Sequence, residues 1–221
     1  MQIDPSKIGP VFAVGGENLI RKYDEGYLLK SPIGIRIRLG KEKYVKEVVE
    51  DFPILKKYFK DFLPEVHVIV KDNEKSFDLL QKFVEGRILH KSDLVDQKLK
   101  DQFVKLIQLN QLMEDKEKIS WDFFGAWSLF LGNKDRVGNI VVTPENNLGF
   151  IDIGTMRLEK RGQPLLVWLI IKWAARRQRS CLKYLLRQNP NRAVPLKGCC
   201  PNSFSEKLRE MVVIHFDKKY Y

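Results

Sequence analysis

Cysteine and histidine are scarce in this chain of 221 residues, with three of each. The cysteines are Cys181, Cys199 and Cys200, an odd number with two adjacent, which excludes a secreted disulfide scaffold as the organising device. His67, His90 and His215 are scattered, so the sequence has no tight His/Cys spacing for a structural zinc site. No apolar run is long enough to span a bilayer. The start, MQIDPSKIGPVF, lacks the charged end and apolar core of a secretory signal. Internal repeats and low-complexity tracts are absent as well. The expectation is a cytoplasmic protein in a reducing compartment. Negative charge is also in short supply: 28 acidic residues face 39 basic ones, for a net charge of +11. Such an excess calls for an anionic partner, whether nucleotide, nucleic acid, acidic protein surface or lipid headgroup. The length allows one sizeable domain or two small lobes, and the composition is that of a soluble globular protein.

The most informative stretch is NIVVTPENNLGFIDIG, residues 139–154. Ile140, Val141 and Val142 are β-branched and predict a strand. Pro144, Glu145, Asn146 and Asn147 carry turn chemistry, and Leu148, Phe150 and Ile151 resume an apolar strand. The hairpin is expected to place Asn139 just before its first strand and Asp152 at the end of its second. An amide and a carboxylate at one hairpin mouth suit a hard cation. Mg²⁺ takes one or two such protein oxygens and fills its octahedron with phosphate and water. Gly154 lets the backbone leave the strand sharply.

Upstream, residues 8–30 predict three short strands joined by turns at Gly15-Gly16 and at Asp24-Glu25-Gly26. The GGEN sequence at 15–18 can bring backbone N–H groups close to a phosphate. Lys30 closes the third strand. Tyr44, Val45, Val48, Val49 and Phe52 predict a helix over 41–59, ended or kinked by Pro53 near Asp51. Val66, Val68 and Val70 alternate as a strand, and an apolar stretch over 77–84 ends in QKFVEG. A long helix is expected from Ser92, as N-cap, to Met113. The aromatic run 119–131 reads as core. Residues 164–187 predict another helix. Its start, Leu165 to Ile171, is apolar on all sides and expected to be buried. Its continuation carries Lys172, Arg176, Arg177, Arg179, Lys183 and Arg187. A short helix is expected over 203–216.

In this order the features resemble the protein-kinase-like superfamily, which includes the aminoglycoside phosphotransferases. IDIG at 151–154 stands where those families carry DFG or IDFG. The interval of thirteen residues from Asn139 to Asp152 resembles the spacing of the family's two metal ligands. KDRVGN at 134–139 is similar to the DR-containing loops of phosphatidylinositol-kinase-like and HipA-like branches, shortened by one residue. Lys134 stands at the family's usual aspartate position. The resemblance, which covers roughly residues 9–160, implies an α+β, two-lobed kinase-like fold with a reduced C-lobe. The N-lobe would be residues 1–86 and the mainly helical C-lobe 87–221.

The same resemblance implies ATP and Mg²⁺ as cofactors. Asp152 and Asn139 would hold metal, and Lys30 would clamp the phosphates. The backbone around Gly15, Gly16, Glu17 and Asn18 would cover them. Glu50, preferred over Glu47, would pair with Lys30. The backbone of Lys82, Phe83 and Val84 would meet the adenine edge. Asp135 would be the base facing an acceptor hydroxyl. The implied activity is an ATP/Mg²⁺-dependent phosphotransferase, foremost a minimal protein Ser/Thr kinase. A small-molecule or phosphoinositide kinase is one alternative, and a nucleotide-binding pseudokinase scaffold is another. A third reading is a basic module that binds nucleic acid or membrane. The expected partners are nucleotide and a protein substrate, with an acidic one compatible with the charge. The basic helix 172–187 can contact anionic lipid. Nucleic acid is the least expected.

Overall fold

The computed structural model describes residues 3–14, 18–33, 35–71, 75–125, 134–160 and 164–187. The architecture is mixed α+β. Strands β1 (Ile8–Val14), β2 (Asn18–Tyr23) and β3 (Tyr27–Pro32) form the expected meander, with Asp24 and Gly26 at positive φ in the second turn. Helix α1 (Ile35–Phe59) follows, then β4 (Val66–Lys71) and β5 (Ser76–Lys82). The five strands make one antiparallel sheet in the order β1-β2-β3-β5-β4. Val45 and Leu55 of α1 pack with Phe77 and Leu79 of β5 in the main core. Tyr23, Leu29, Ile69 and Leu80 form a small second cluster. Lys30 lies opposite Leu79 in the β3–β5 register, so it shares the face that α1 covers.

Helix α1 departs from its sequence forecast in two ways. It begins before residue 41, and it runs through Pro53 to Phe59. A proline inside a helix forfeits its bond to the carbonyl four residues back, here that of Val49. Val49 is exposed, so water can take that carbonyl, while Leu55 and Phe59 beyond it are fully buried and hold the second half to the core.

Beyond β5 the chain crosses to β6 (Arg87–His90) through residues 83–86. Gly86 is required at this crossing: a Cβ there would stand 2.5 Å from the Val142 carbonyl oxygen. A single 3₁₀ turn then leads to α2 (Gln97–Glu117), which starts later than the sequence suggested. Its N-cap is Asp96, not Ser92, because the Asp96 carboxylate accepts from the Leu99 N–H at 3.1 Å. Strand β7 (Ile119–Trp121), unforeseen inside the aromatic run, pairs with β10 (Thr155–Arg157). Strands β8 (Arg136–Val142) and β9 (Leu148–Phe150) form the expected hairpin, with Asn146 at φ 57° in the turn. Asn139 lies within β8 rather than before it.

Helix α3 (Leu165–Leu186) completes the described chain. Its inner face, Ala174, Ala175, Gln178, Cys181, Leu182 and Leu185, is buried. Its apolar start is not, which reverses the expectation: Leu165, Leu166, Leu169, Ile170 and Trp173 are all exposed. Hydrophobicity on every side made this run read as core, yet only the inner side has neighbours to cover it. Among the described residues, no helix is long and apolar enough to cross a membrane. The forecast helix over 203–216 lies outside the described residues.

Candidate functional site

Lys30 is the most informative buried charge. It is 5 % exposed, and its amine donates to the Ile151 main-chain carbonyl, 121 residues away. Burial lowers the ammonium below its ordinary value of 10.5, and the nearby Asp152 carboxylate pulls it partly back. The sheet lysine and the Asp-x-Gly aspartate are therefore brought together. Register explains this, since Lys30 points off the sheet toward the end of β9.

Asp152 is half-buried. Its Oδ1 accepts from the Ile153 N–H at 2.8 Å, and its main-chain carbonyl accepts from the Trp121 indole at 3.1 Å. Oδ2 accepts no hydrogen bond among the described residues. The Trp121 ring is fully buried and stacks on Phe150 at 3.6 Å, so a rigid aromatic wall backs this aspartate.

Asn139 is joined to the segment before Asp152 through an irregularity of its strand. Strand β6 pairs Leu89 with Val137 and Ile88 with Val141, so residues 138–140 bulge out of that ladder. The freed Asn139 takes its main-chain bonds elsewhere: its N–H donates to Phe123 and its carbonyl accepts from Ile151. Its side-chain amide donates to the Asp122 carbonyl at 2.7 Å. With Nδ2 engaged, Oδ1 is the atom left to face a ligand.

Asp122 is the residue that sequence reading missed. It follows β7 directly, and its Oδ1 accepts from the Phe124 and Gly125 N–H groups at 3.1 and 2.9 Å. A Cβ built on Gly154 would stand 3.6 Å from Asp152 Oδ2 and 3.9 Å from Asp122 Cβ, so Gly154 separates two carboxyl-bearing side chains. The available signal was one carboxylate inside the apolar run 119–131. A buried network fixes its strand. The Asn110 side-chain oxygen Oδ1 accepts from the Trp121 main-chain N–H at 2.8 Å, and Gln178 Oε1 accepts from the Phe123 N–H at 3.0 Å. Gln178 also donates to the Trp121 carbonyl at 2.8 Å. Helices α2 and α3 thus hold Asp122 from both sides.

The remaining candidates fall in different places. Glu50 is not brought to Lys30. It meets Arg157 at 2.9 Å, and Arg157 also binds the buried Asp51 at 2.6 Å. Burial opposes the Arg157 charge, but Asp51 and then Glu50 outweigh it and push the guanidinium further above its usual range. Thr155 donates to Asp51 at 2.7 Å, which ties α1 to the segment after Asp152. Asp135 is exposed, accepts from the Tyr184 hydroxyl at 3.2 Å, and has no described contact with Lys30 or Asp152. The N–H groups of Lys82 and Phe83 are spent on Glu65 and Gly26, leaving the Val84 N–H without a partner among the described residues. Asn18 and Asp152 line one cavity of about 320 Å³, with Glu47, Asp51, Val167 and Ile171. Gly15, Gly16 and Glu17 lie outside the described residues.

The donor set near Asp152 is oxygen only. Among the described residues, no three His, Cys, Asp or Glu side chains gather as a metal cluster. A carboxylate oxygen such as Asp152 Oδ2 and an amide oxygen such as Asn139 Oδ1 are donor types that Mg²⁺ takes while keeping most of its shell for phosphate and water.

No family model matches the chain, and no curated protein matches it. Among solved structures, one described as the apo form of PpkA-294 is similar, with a TM-score of 0.35 and 12% identity. The match covers 66% of this chain, and the chain spans 57% of that one.

Proposed function

We propose that this chain is an ATP/Mg²⁺-dependent phosphotransferase of two-lobed, kinase-like build with a reduced C-lobe. The observation that supports the reading is the approach of buried Lys30 to the Ile151–Asp152 segment, to which Asn139 is joined through its main-chain carbonyl. In this reading Lys30 binds and orients the phosphates, and its burial keeps water from competing for the ammonium. Asp152 and Asn139 would hold Mg²⁺, which when bound neutralises charge on the transferring phosphoryl group. The Val84 N–H is the backbone donor left for a purine edge. Asp122 takes the acceptor-facing role in place of Asp135, because its carboxyl-bearing side chain adjoins that of Asp152 across Gly154. The acceptor is foremost a protein hydroxyl, with a small molecule or phosphoinositide as the alternative.

A nucleotide-binding scaffold without transfer is the second reading. It is favoured by Asp135, which is engaged by Tyr184 instead of lying free beside Asp152.

The test is label transfer from γ-labelled ATP with Mg²⁺, to the protein itself and to generic acidic and basic proteins. Wild type is run beside Asp152→Ala. Label that depends on Asp152 supports transfer. A thermal shift with ATP and Mg²⁺ but no label selects the scaffold, and neither signal overturns the nucleotide reading.

A further inference from the structure

Helix α3 presents one continuous outer face. At 100° per residue, Leu165, Leu166, Leu169, Ile170 and Trp173 fall within the same sector as Arg176, Ser180, Lys183 and Arg187. Leu166 is 70% exposed and Leu165 56%. The first half of this face is therefore exposed hydrocarbon bordered by the Trp173 indole, whose ring lies under the Arg177 guanidinium, and the second half is cationic. Helix α3 contains no Asp or Glu, and Lys160 precedes it on the exposed approach. Isolated exposed leucines are ordinary, but four large aliphatic side chains, Leu165, Leu166, Leu169 and Ile170, on adjacent turns of one helix form a patch that marks an interaction surface.

We infer that the outer face of α3 docks on an anionic membrane surface, its apolar start entering the headgroup boundary and its basic end resting on acidic headgroups. Charge selects this occupant. A second copy offering the same face supplies no acidic side chain: parallel, it sets Arg176 and Lys183 against their counterparts, and antiparallel, it lays them over leucines. The chain's own residues 188–221 carry six basic against three acidic residues, so they do not complement the face either. Shape points the same way. The patch is the convex side of a helix, which a fluid bilayer can wet along its length without a matching pocket. Leucine, isoleucine and tryptophan beside lysine and arginine are the side chains that partition to such interfaces. This inference is independent of the phosphotransfer reading.

The experiment is co-sedimentation of the full chain with vesicles of phosphatidylcholine alone, or of phosphatidylcholine mixed with phosphatidylserine. Binding is expected only to the mixed vesicles, and it should weaken as salt rises. The double variant Leu166→Glu/Leu169→Glu should lower partition on the order of tenfold or more. Arg176→Glu/Lys183→Glu should do the same on mixed vesicles. Both variants should melt with wild type, since all four side chains are exposed. Failure to sediment with mixed vesicles would overturn the inference, as would binding indifferent to Leu166→Glu/Leu169→Glu. A concentration-dependent dimer that the leucine variant dissolves would assign the face to a second copy instead.

Discussion

The indole N–H of Trp121 donates to the main-chain carbonyl of Asp152 at 3.1 Å, joining the end of β7 to the proposed metal-holding residue. The same ring stacks on Phe150, so one buried side chain fixes both the height and the rotation of the loop that carries Asp152. Trp121→Phe keeps an aromatic ring but removes the donor and part of the volume. It should cost about 2 kcal/mol in chemical denaturation. In the transfer assay it should raise the Mg²⁺ concentration needed for half-maximal rate. An unchanged Mg²⁺ dependence would mean that the indole only packs.

Lys30 is expected to trade stability for function. Its ammonium is lowered by burial, so between its folded value and 10.5 the unfolded chain binds more protons than the folded one. Stability from this group therefore rises as pH climbs through that window, and below the window the buried charge costs its full amount. Lys30→Met removes that cost, while Asp152, half-buried, can turn to water. At neutral pH the variant should be more stable by on the order of 1 kcal/mol and should not transfer phosphate. A lower melting temperature would show that the pairing with Asp152 outweighs the burial penalty.

The two aspartates can be separated. Asp122→Asn preserves the acceptor that receives the Phe124 and Gly125 N–H groups, so the fold should persist. If Asp122 faces the acceptor as proposed, its loss as a base should lower the transfer rate by about 10²–10⁴-fold and leave a thermal shift with ATP unchanged. Asp135→Asn should leave the rate within a small factor, since its described partner is Tyr184. The reverse outcome would return the role to Asp135.

Arg157 and Asp51 test the tie between α1 and β10. Asp51 is 2% exposed, so Arg157→Met leaves a buried carboxylate with only Thr155 as a described partner. The expected cost is about 3 kcal/mol by urea denaturation, partly restored by Arg157→Lys. The double variant Asp51→Leu/Arg157→Met should recover most of the loss, because it removes both charges together.

Much of the scaffold could be read from the sequence because it is written in local patterns. The meander β1–β3, the alternation in β4 and the β8–β9 hairpin all follow from strand periodicity and turn residues. Lys30 and Asp152 were singled out from order and spacing, and register and loop geometry bring them together. The failures share a different origin. Asp122 gains meaning only from the pairing of β7 with β10, which lies far along the chain. Asn139 needed a bulge, for which Gly138 inside the strand was the available signal. Glu50 sits on α1 where the sequence places it, but Arg157 competes for it from a distant strand. The start of α3 shows the limit of composition: an apolar run looks the same whether or not anything covers it.

The contact at Gly86 has a mechanical consequence. With less than a methyl group's clearance between this residue and the Val142 carbonyl, the crossing strand lies flush against β8. The five-stranded sheet that carries Lys30 and the hairpin that leads to Asp152 thus bear on each other at a fulcrum where the Gly86 main chain meets that of Val142. A side chain at this position would act as a shim, levering Lys30 away from Asp152 without altering either residue.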